Sequence, residues 1–201
     1  PEGELEDMFL EAKATDMVLR ALLTAESQAE KLLEESLAEF SFYTEVLSKV
    51  VGIGPRIAAR IVSQVGDIRK FSTVNKFKAY CGVHLLSDGR FARKRVGQRA
   101  NWSNNLRQAF FLVADQMNKR PDSEWGERFL AIKAKFQLKY PEPVVVEVGP
   151  EKREVKRYTK GHIHKMTSWR AATKFAEWLY RSWKRHEKEL AKHPIQQQKA
   201  A

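Results

Sequence analysis

The residues best suited to chemistry are Gly52-Ile53-Gly54-Pro55. Two glycines around one isoleucine, followed by proline, make a turn that can hold a phosphate with its backbone alone. Glycine reaches φ > 0 without steric cost and carries no side chain to keep a ligand away. Proline at the first helical position gives up only an N–H that would lack a partner anyway. The remaining first-turn N–H groups sit at the positive end of the helix dipole, where an anion is favoured. Apolar residues flank the turn: Leu47, Val50 and Val51 before it, then Ile57, Ala58, Ile61 and Val62. The pattern predicts a helix-hairpin-helix in which Ile53 plugs the angle between helices while Gly52, Gly54 and Arg56 face a nucleic-acid backbone. A plain tight turn between two core helices is the alternative.

Three further groups have chemistry-bearing residue types. Arg90-Phe91-Ala92-Arg93-Lys94-Arg95-Val96-Gly97-Gln98-Arg99 is the most basic stretch of the chain and reads as a loop or hairpin. Beside a phosphate-gripping turn, its side chains are expected to contact nucleic acid. Cys81 with His84, and His162 with His164, have spacings that zinc accepts, although short pairs of this kind also arise by chance. Asp67 lies just past the second predicted helix, where a repair glycosylase or lyase of the helix-hairpin-helix class would place a catalytic carboxylate. Capping of the next turn explains Asp67 equally well, and no catalytic lysine is identifiable beside it.

These groups must be positioned by a chain of 201 residues, enough for one or two domains. The formal net charge of +11 is unevenly spread. Residues 1–50 hold 12 Asp/Glu against 4 Lys/Arg, a net of −8, which leaves +19 on the remainder. An acidic arm on a basic body points to a polyanionic partner for the body. A membrane surface is the other polyanion, but no basic amphipathic helix and no spanning apolar run is present. One cysteine, Cys81, excludes an internal disulfide and fits a reducing compartment. No signal peptide is expected from the first residues, which are acidic rather than basic and apolar.

The arm carries a seven-residue apolar repeat through Leu5, Met8, Ala12, Leu19, Leu22, Ala29, Leu33, Phe40, Leu47 and Val50. It predicts a long coiled-coil-like helix, or a helical hairpin with a break near residues 24–28. Further along, helices are expected at 55–65 (closed by Gly66), 74–80 (capped by Ser72-Thr73) and 103–119. Another lies around Trp125–Phe136, and the last runs from Thr167 to about Leu190. Residues 144–148 and 154–158 form either a small β-hairpin turning at Gly149-Pro150 or an extended loop. The fold class is therefore mainly α. It divides into an acidic arm (1–48), a basic helix-hairpin-helix domain (49–192) and a frayed tail (193–201).

Gly52-Ile53-Gly54-Pro55, Gly66-Asp67-Ile68, Phe71-Ser72 and Ala79-Tyr80-Cys81-Gly82, together with Leu106-Arg107-Gln108-Ala109-Phe110, closely resemble one family. They are similar to the C-terminal domain of the insertion-sequence 110/116/902 transposases. The resemblance covers about residues 50–190, and the preceding helix is similar to the family's coiled coil. It implies a DNA recombinase in which this domain supplies a nucleophilic serine and a RuvC-like domain supplies metal-binding carboxylates; a bridge RNA guides some members. Ser87, in Ser87-Asp88-Gly89, best matches the family's Ser-Gly, with Asp88 inserted and the gap from Gly82 two residues short. Ser103 is its rival, with helix capping as the other role for that residue.

The resemblance makes Gly52, Ile53, Gly54, Arg56, Arg90, Arg93, Lys94, Arg95, Arg99 and Arg107 the expected DNA-contacting set. Residues 1–50 lack the alternating pattern of a RuvC-like domain, so no metal or other cofactor is expected here and strand exchange by these residues alone is not. Expected partners are DNA, a guide RNA and a second copy through the arm; the expected compartment is the prokaryotic cytoplasm. A non-enzymatic architectural DNA or RNA binder is the remaining alternative.

Overall fold

The structure is a computed structural model and describes residues 2–87, 89–94, 96–148 and 152–192. It is mainly helical, with one small antiparallel sheet. The arm is two helices, α1 (Glu2–Thr15) and α2 (Met17–Ala38). The break falls at Asp16 rather than near 24–28. Asp16 has ψ 100°, and its carboxylate accepts the Leu19 N–H at 2.9 Å, so it starts a new helix in the manner of an N-cap. Of the polar interruptions of the repeat, Thr15 ends α1 beside the break, whereas Glu26 and Ser36 stay within α2; Ser36 simply donates to the Leu32 carbonyl.

Only the end of the arm reaches the core. Leu37 is buried and Leu33 and Phe40 pack beside it, whereas Leu5, Met8, Phe9, Met17 and Val18 remain exposed. Residues 43–47 then form a single π-helical turn, closed by the Ser48 N–H on the Tyr43 carbonyl. α3 (Pro55–Val65) follows, with Gly54 as N-cap and Gly66 at φ 61° as C-cap. A 3-10 turn (Ile68–Lys70) leads into α4 (Val74–Tyr80), capped by Thr73. Ser103 caps α5 (Asn104–Lys119) and Ser123 caps α6 (Glu124–Lys139). Glycine is obligatory at 126, because a Cβ there would lie 1.9 Å from the Arg120 carbonyl oxygen.

β1 (Val144–Val148) and β2 (Arg153–Arg157) pair antiparallel, with Val144 opposite Arg157 and Val148 opposite Arg153. The expected turn at Gly149-Pro150 and the tail beyond Lys192 lie outside the described residues. The last helix, α7 (Lys160–Lys192), starts earlier than Thr167 and therefore takes in His162 and His164. At about 1.5 Å per residue it spans about 50 Å. It is the spine against which α4, α5 and α6 pack. Along it, Phe175 meets Phe110 and Trp125, and Trp183 stacks on Phe42 at 4.8 Å. These aromatic contacts tie the turn after α2 to the opposite end of the chain.

Candidate nucleic-acid interface

The glycine turn is built from both sides. Gly52 has φ 93°, and a Cβ on it would lie 3.1 Å from Gln116 Cβ of α5. A side chain there would meet both backbone strain and a close neighbour. Ile53 is only 6% exposed, and its N–H donates to the Val50 carbonyl at 3.0 Å. It plugs the corner as expected, but neither its side chain nor its N–H is left to meet a phosphate. Gly54 faces open space. Ile57 and Ala58 both turn their N–H groups onto the Gly54 carbonyl. Pro55 has no N–H, so the first turn's outward donor is the Arg56 amide.

The Arg56 side chain is not available as expected. Its Nη2 lies 2.8 Å from Glu26 and its Nε 3.1 Å from Glu30, both on α2. Hydrogen bonds donated to the Glu30 and Glu26 carboxylates raise the guanidinium pKa. The acidic arm thus neutralises the cation nearest the turn. One helical turn on, Arg60 is exposed and lines a polar groove of about 230 Å³ with Ser63, Gln64, Asn105 and Gln108. Hydroxyls and amides beside one free guanidinium suit a sugar-phosphate backbone.

Ser103 closes one end of this region. Its hydroxyl accepts the Leu106 N–H at 3.2 Å and donates to Gln64 Oε1 at 2.8 Å. The first bond caps α5 and the second ties it to α3, so Ser103 acts as a cap and strut. Ser87 is different: it is exposed near the tip of a short hairpin in which Leu85 bridges Phe91 and Leu86 donates to the Arg90 carbonyl.

That hairpin begins the basic loop. Arg93, Lys94 and Arg99 are exposed, Arg90 is exposed with partners of its own, and Arg95 lies outside the described residues. Arg107, expected on DNA, is turned inward. Its guanidinium sits between Trp102 and Trp169, 4.8 and 4.6 Å from their ring centres, and donates to the Ala92 carbonyl at 3.0 Å. Burial lowers its pKa, yet guanidinium stays charged. Arg107 therefore holds the root of the loop, with Ala92 buried beneath it. Gly82 is needed here too: at φ 67°, a Cβ would come within 2.8 Å of Trp102.

The alternative chemistries find no support in the geometry. Asp67 accepts the Arg69 N–H at 2.7 Å and pairs with its side chain at 3.0 Å, which lowers its pKa. It is a cap. Cys81 is buried in the core, and burial pushes its thiol pKa well up. His84 faces Trp102, His164 packs on Phe129, and His162 Nδ1 accepts the Tyr158 N–H at 3.0 Å. No group of three His, Cys, Asp or Glu among the described residues is placed to hold a metal.

Sequence reasoning missed two features. One is the Arg56–Glu26–Glu30 bridge, whose partners are 26 and 30 residues apart and carry no local signal. The other is a stack of Tyr140, Tyr158 and His162 at the base of the β-hairpin. Only the four-residue spacing of Tyr158 and His162 hinted at it.

The glycine turn, the polar groove and the anchored basic loop fall within a stretch of sequence that is similar to transposases. Residues 44–130, a little under half the chain, match the family model described as "Transposase IS116/IS110/IS902 family". This central segment, from the π-helical turn into α6, is similar to that family. The chain is also 30% identical over 97 residues to the "Mini-circle putative transposase for IS117" of Streptomyces coelicolor (strain ATCC BAA-471 / A3(2) / M145). That stretch is 48% of this chain but 23% of the relative's length. No solved structure matches significantly. No helix among the described residues is long and apolar enough to cross a membrane.

Proposed function

We propose that this chain is the DNA-binding part of an insertion-sequence transposase. The observation that carries the reading is the coincidence of transposase sequence with an exposed polar and basic surface. That surface is the α3–α5 groove, with Arg60 at its edge, and the loop bearing Arg93, Lys94 and Arg99. The open backbone at Gly54 and the Arg56 amide bind one phosphate in a helix-hairpin-helix manner, and the loop follows the strand beyond. Ser87 is the serine offered to a scissile phosphate, since the hydroxyl of Ser103 is spent on Gln64 and Leu106. Attack requires a base or metal to take the Ser87 proton. The exposed stripe of Leu5, Met8 and Phe9 on α1 is the surface through which two copies associate.

Duplex-DNA affinity measured across a salt series tests the reading. A steep fall with salt is expected. Replacing Arg93 and Lys94 with Glu lowers affinity at least tenfold and reduces the slope of log K against log salt by about 2. In a transposase completed by its carboxylate-bearing domain, Ser87→Ala should bind as the wild type does but lose strand exchange, whereas Ser103→Ala should lose stability. Affinity indifferent to salt sinks the DNA reading; strand exchange retained by Ser87→Ala sinks the serine assignment alone.

A further inference from the structure

Outside the family-matched segment, three aromatic rings lie parallel at the base of the β-hairpin. Tyr140 stacks on Tyr158 with centres 3.7 Å apart and planes within 2°, and Tyr158 continues onto His162 at 5.6 Å, again within 2°. Tyr140 ends α6, Tyr158 follows β2 and His162 opens α7, so the stack joins three elements. It is maintained against strain. Tyr158 adopts φ 60°, a left-handed conformation that costs a bulky residue of order 1 kcal/mol or more. What holds it there is the stack and the bond from its N–H to His162 Nδ1. A neutral ring accepting at Nδ1 carries its proton on Nε2.

Among the described residues, the charged groups that act on His162 or lie over Tyr140 are all positive. Lys139 Nζ lies 5.3 Å from the centre of the Tyr140 ring. Burial first, and then the positive charges of Arg157, Arg93 and Lys165, depress the His162 pKa below 6.5. Arg157 comes from β2, Arg93 from the basic loop and Lys165 from α7. Among the described residues, no ion pair joins any of these four cations to a carboxylate. A purely structural strut gains nothing from gathering unpaired cations, which repel one another. The three rings are only half-buried. Half-exposed parallel rings rimmed by uncompensated cations are the combination that recognises an unpaired base and its flanking phosphates.

We propose that Tyr140, Tyr158 and His162 form a stacking platform for a single-stranded stretch of polynucleotide, whose phosphates are held by Lys139, Arg93, Arg157 and Lys165. An incoming base lies on the outer face of Tyr140 and displaces the Lys139 ammonium sideways, toward the adjoining phosphate. Stacking does not discriminate strongly among bases, so the platform holds a strand without reading it. Arg93 links the platform to the basic loop, and a duplex on the loop would have an opened strand within reach of the stack.

The test uses fluorescence anisotropy with the 201-residue chain and labelled oligo(dT), oligo(U) and a mixed-sequence duplex. Tyr140→Leu should weaken single-strand binding about fivefold or more, as expected for one lost base stack, while duplex affinity stays within about twofold. Tyr140→Trp should restore binding, because it supplies a larger ring. Tyr140 is preferred to Tyr158 because the substitution leaves the strained backbone alone; an unchanged thermal midpoint checks folding. A preference for oligo(dT) or for oligo(U) assigns the strand as DNA or RNA. Three results overturn the platform: Tyr140→Leu binding single strands like wild type, single-strand and duplex affinity falling together, or wild type failing to bind either oligonucleotide. If duplex binding persists in that last case, the DNA-binding reading survives and only the platform falls.

Discussion

Arg56 and Arg93 are both exposed cations of the family-matched segment, yet the fold treats them in opposite ways. Arg56, at the start of α3, is clasped by Glu26 and Glu30. Arg93, on the loop after α4, has no carboxylate partner among the described residues and instead adds to the charge around His162. The acidic arm thus lies across the glycine turn while the loop side is left bare. Charge counted along a sequence is therefore not charge available to a ligand. Glu26 and Glu30 of the arm subtract charge locally from α3, whereas Arg93, Lys94 and Arg99 of the loop have no carboxylate partner among the described residues.

The contrast can be broken most forcefully at Arg107. Arg107→Ala removes the guanidinium between Trp102 and Trp169 and the bond to Ala92. Loss of two cation–π contacts and a charged hydrogen bond should cost about 2–4 kcal/mol and release the loop. Urea midpoints and faster amide exchange around Ala92 report it. Arg107→Lys should recover little, because an ammonium cannot lie flat between two indoles. Next in size is the effect of Arg93→Glu with Lys94→Glu. If the bare side carries the binding, this pair lowers duplex affinity far more than Arg56→Gln does. Equal losses would erase the distinction between the two regions.

A smaller change sharpens it from the acidic side. Glu26→Gln with Glu30→Gln should raise duplex affinity about two- to fivefold by releasing Arg56, with little change in stability, since exposed pairs contribute little. A fall in affinity would mean that the arm positions Arg56 for DNA rather than withholding it. The mildest effect is on pH. His162 and His84 are both held below 6.5, chiefly by burial and then by neighbouring cations. The unfolded chain binds protons at these sites before the folded one does. Their contribution to stability is therefore complete above about pH 6.5 and declines as pH falls toward the folded-state values. Urea unfolding between pH 7.5 and 5, repeated on His162→Gln, isolates the share of the platform side.

Much of the helical framework was legible in the sequence because its signals are local. Gly54-Pro55 and Gly66 bracket α3, Thr73 caps α4 and Ser103 caps α5, each by a bond to a backbone N–H a few residues away or by a φ preference of one residue. The end of the first helix was not legible. The apolar repeat is interrupted at Thr15 just as at Glu26 and Ser36, which lie within α2, so the interruption alone does not mark the break; the Asp16 side chain, competing for the Leu19 N–H, ends the helix there. The expected DNA-contacting residues divide in the same way. That Ile53 would fill the corner followed from its place between glycines. That Arg107 would face inward could not follow, because Trp169, which covers it, lies 62 residues further on.

The sequence by itself determined the helical class, the caps, the turn at Gly52-Ile53-Gly54-Pro55 and the similarity of the central segment to transposases, all written in short runs of neighbouring residues. Only the tertiary structure decided which cations remain exposed, which serine keeps a free hydroxyl and that three rings from α6, β2 and α7 meet in one stack. Those outcomes depend on contacts between residues tens of positions apart. Such contacts are settled when α2, α5 and α7 pack together and fix which partners each side chain can reach.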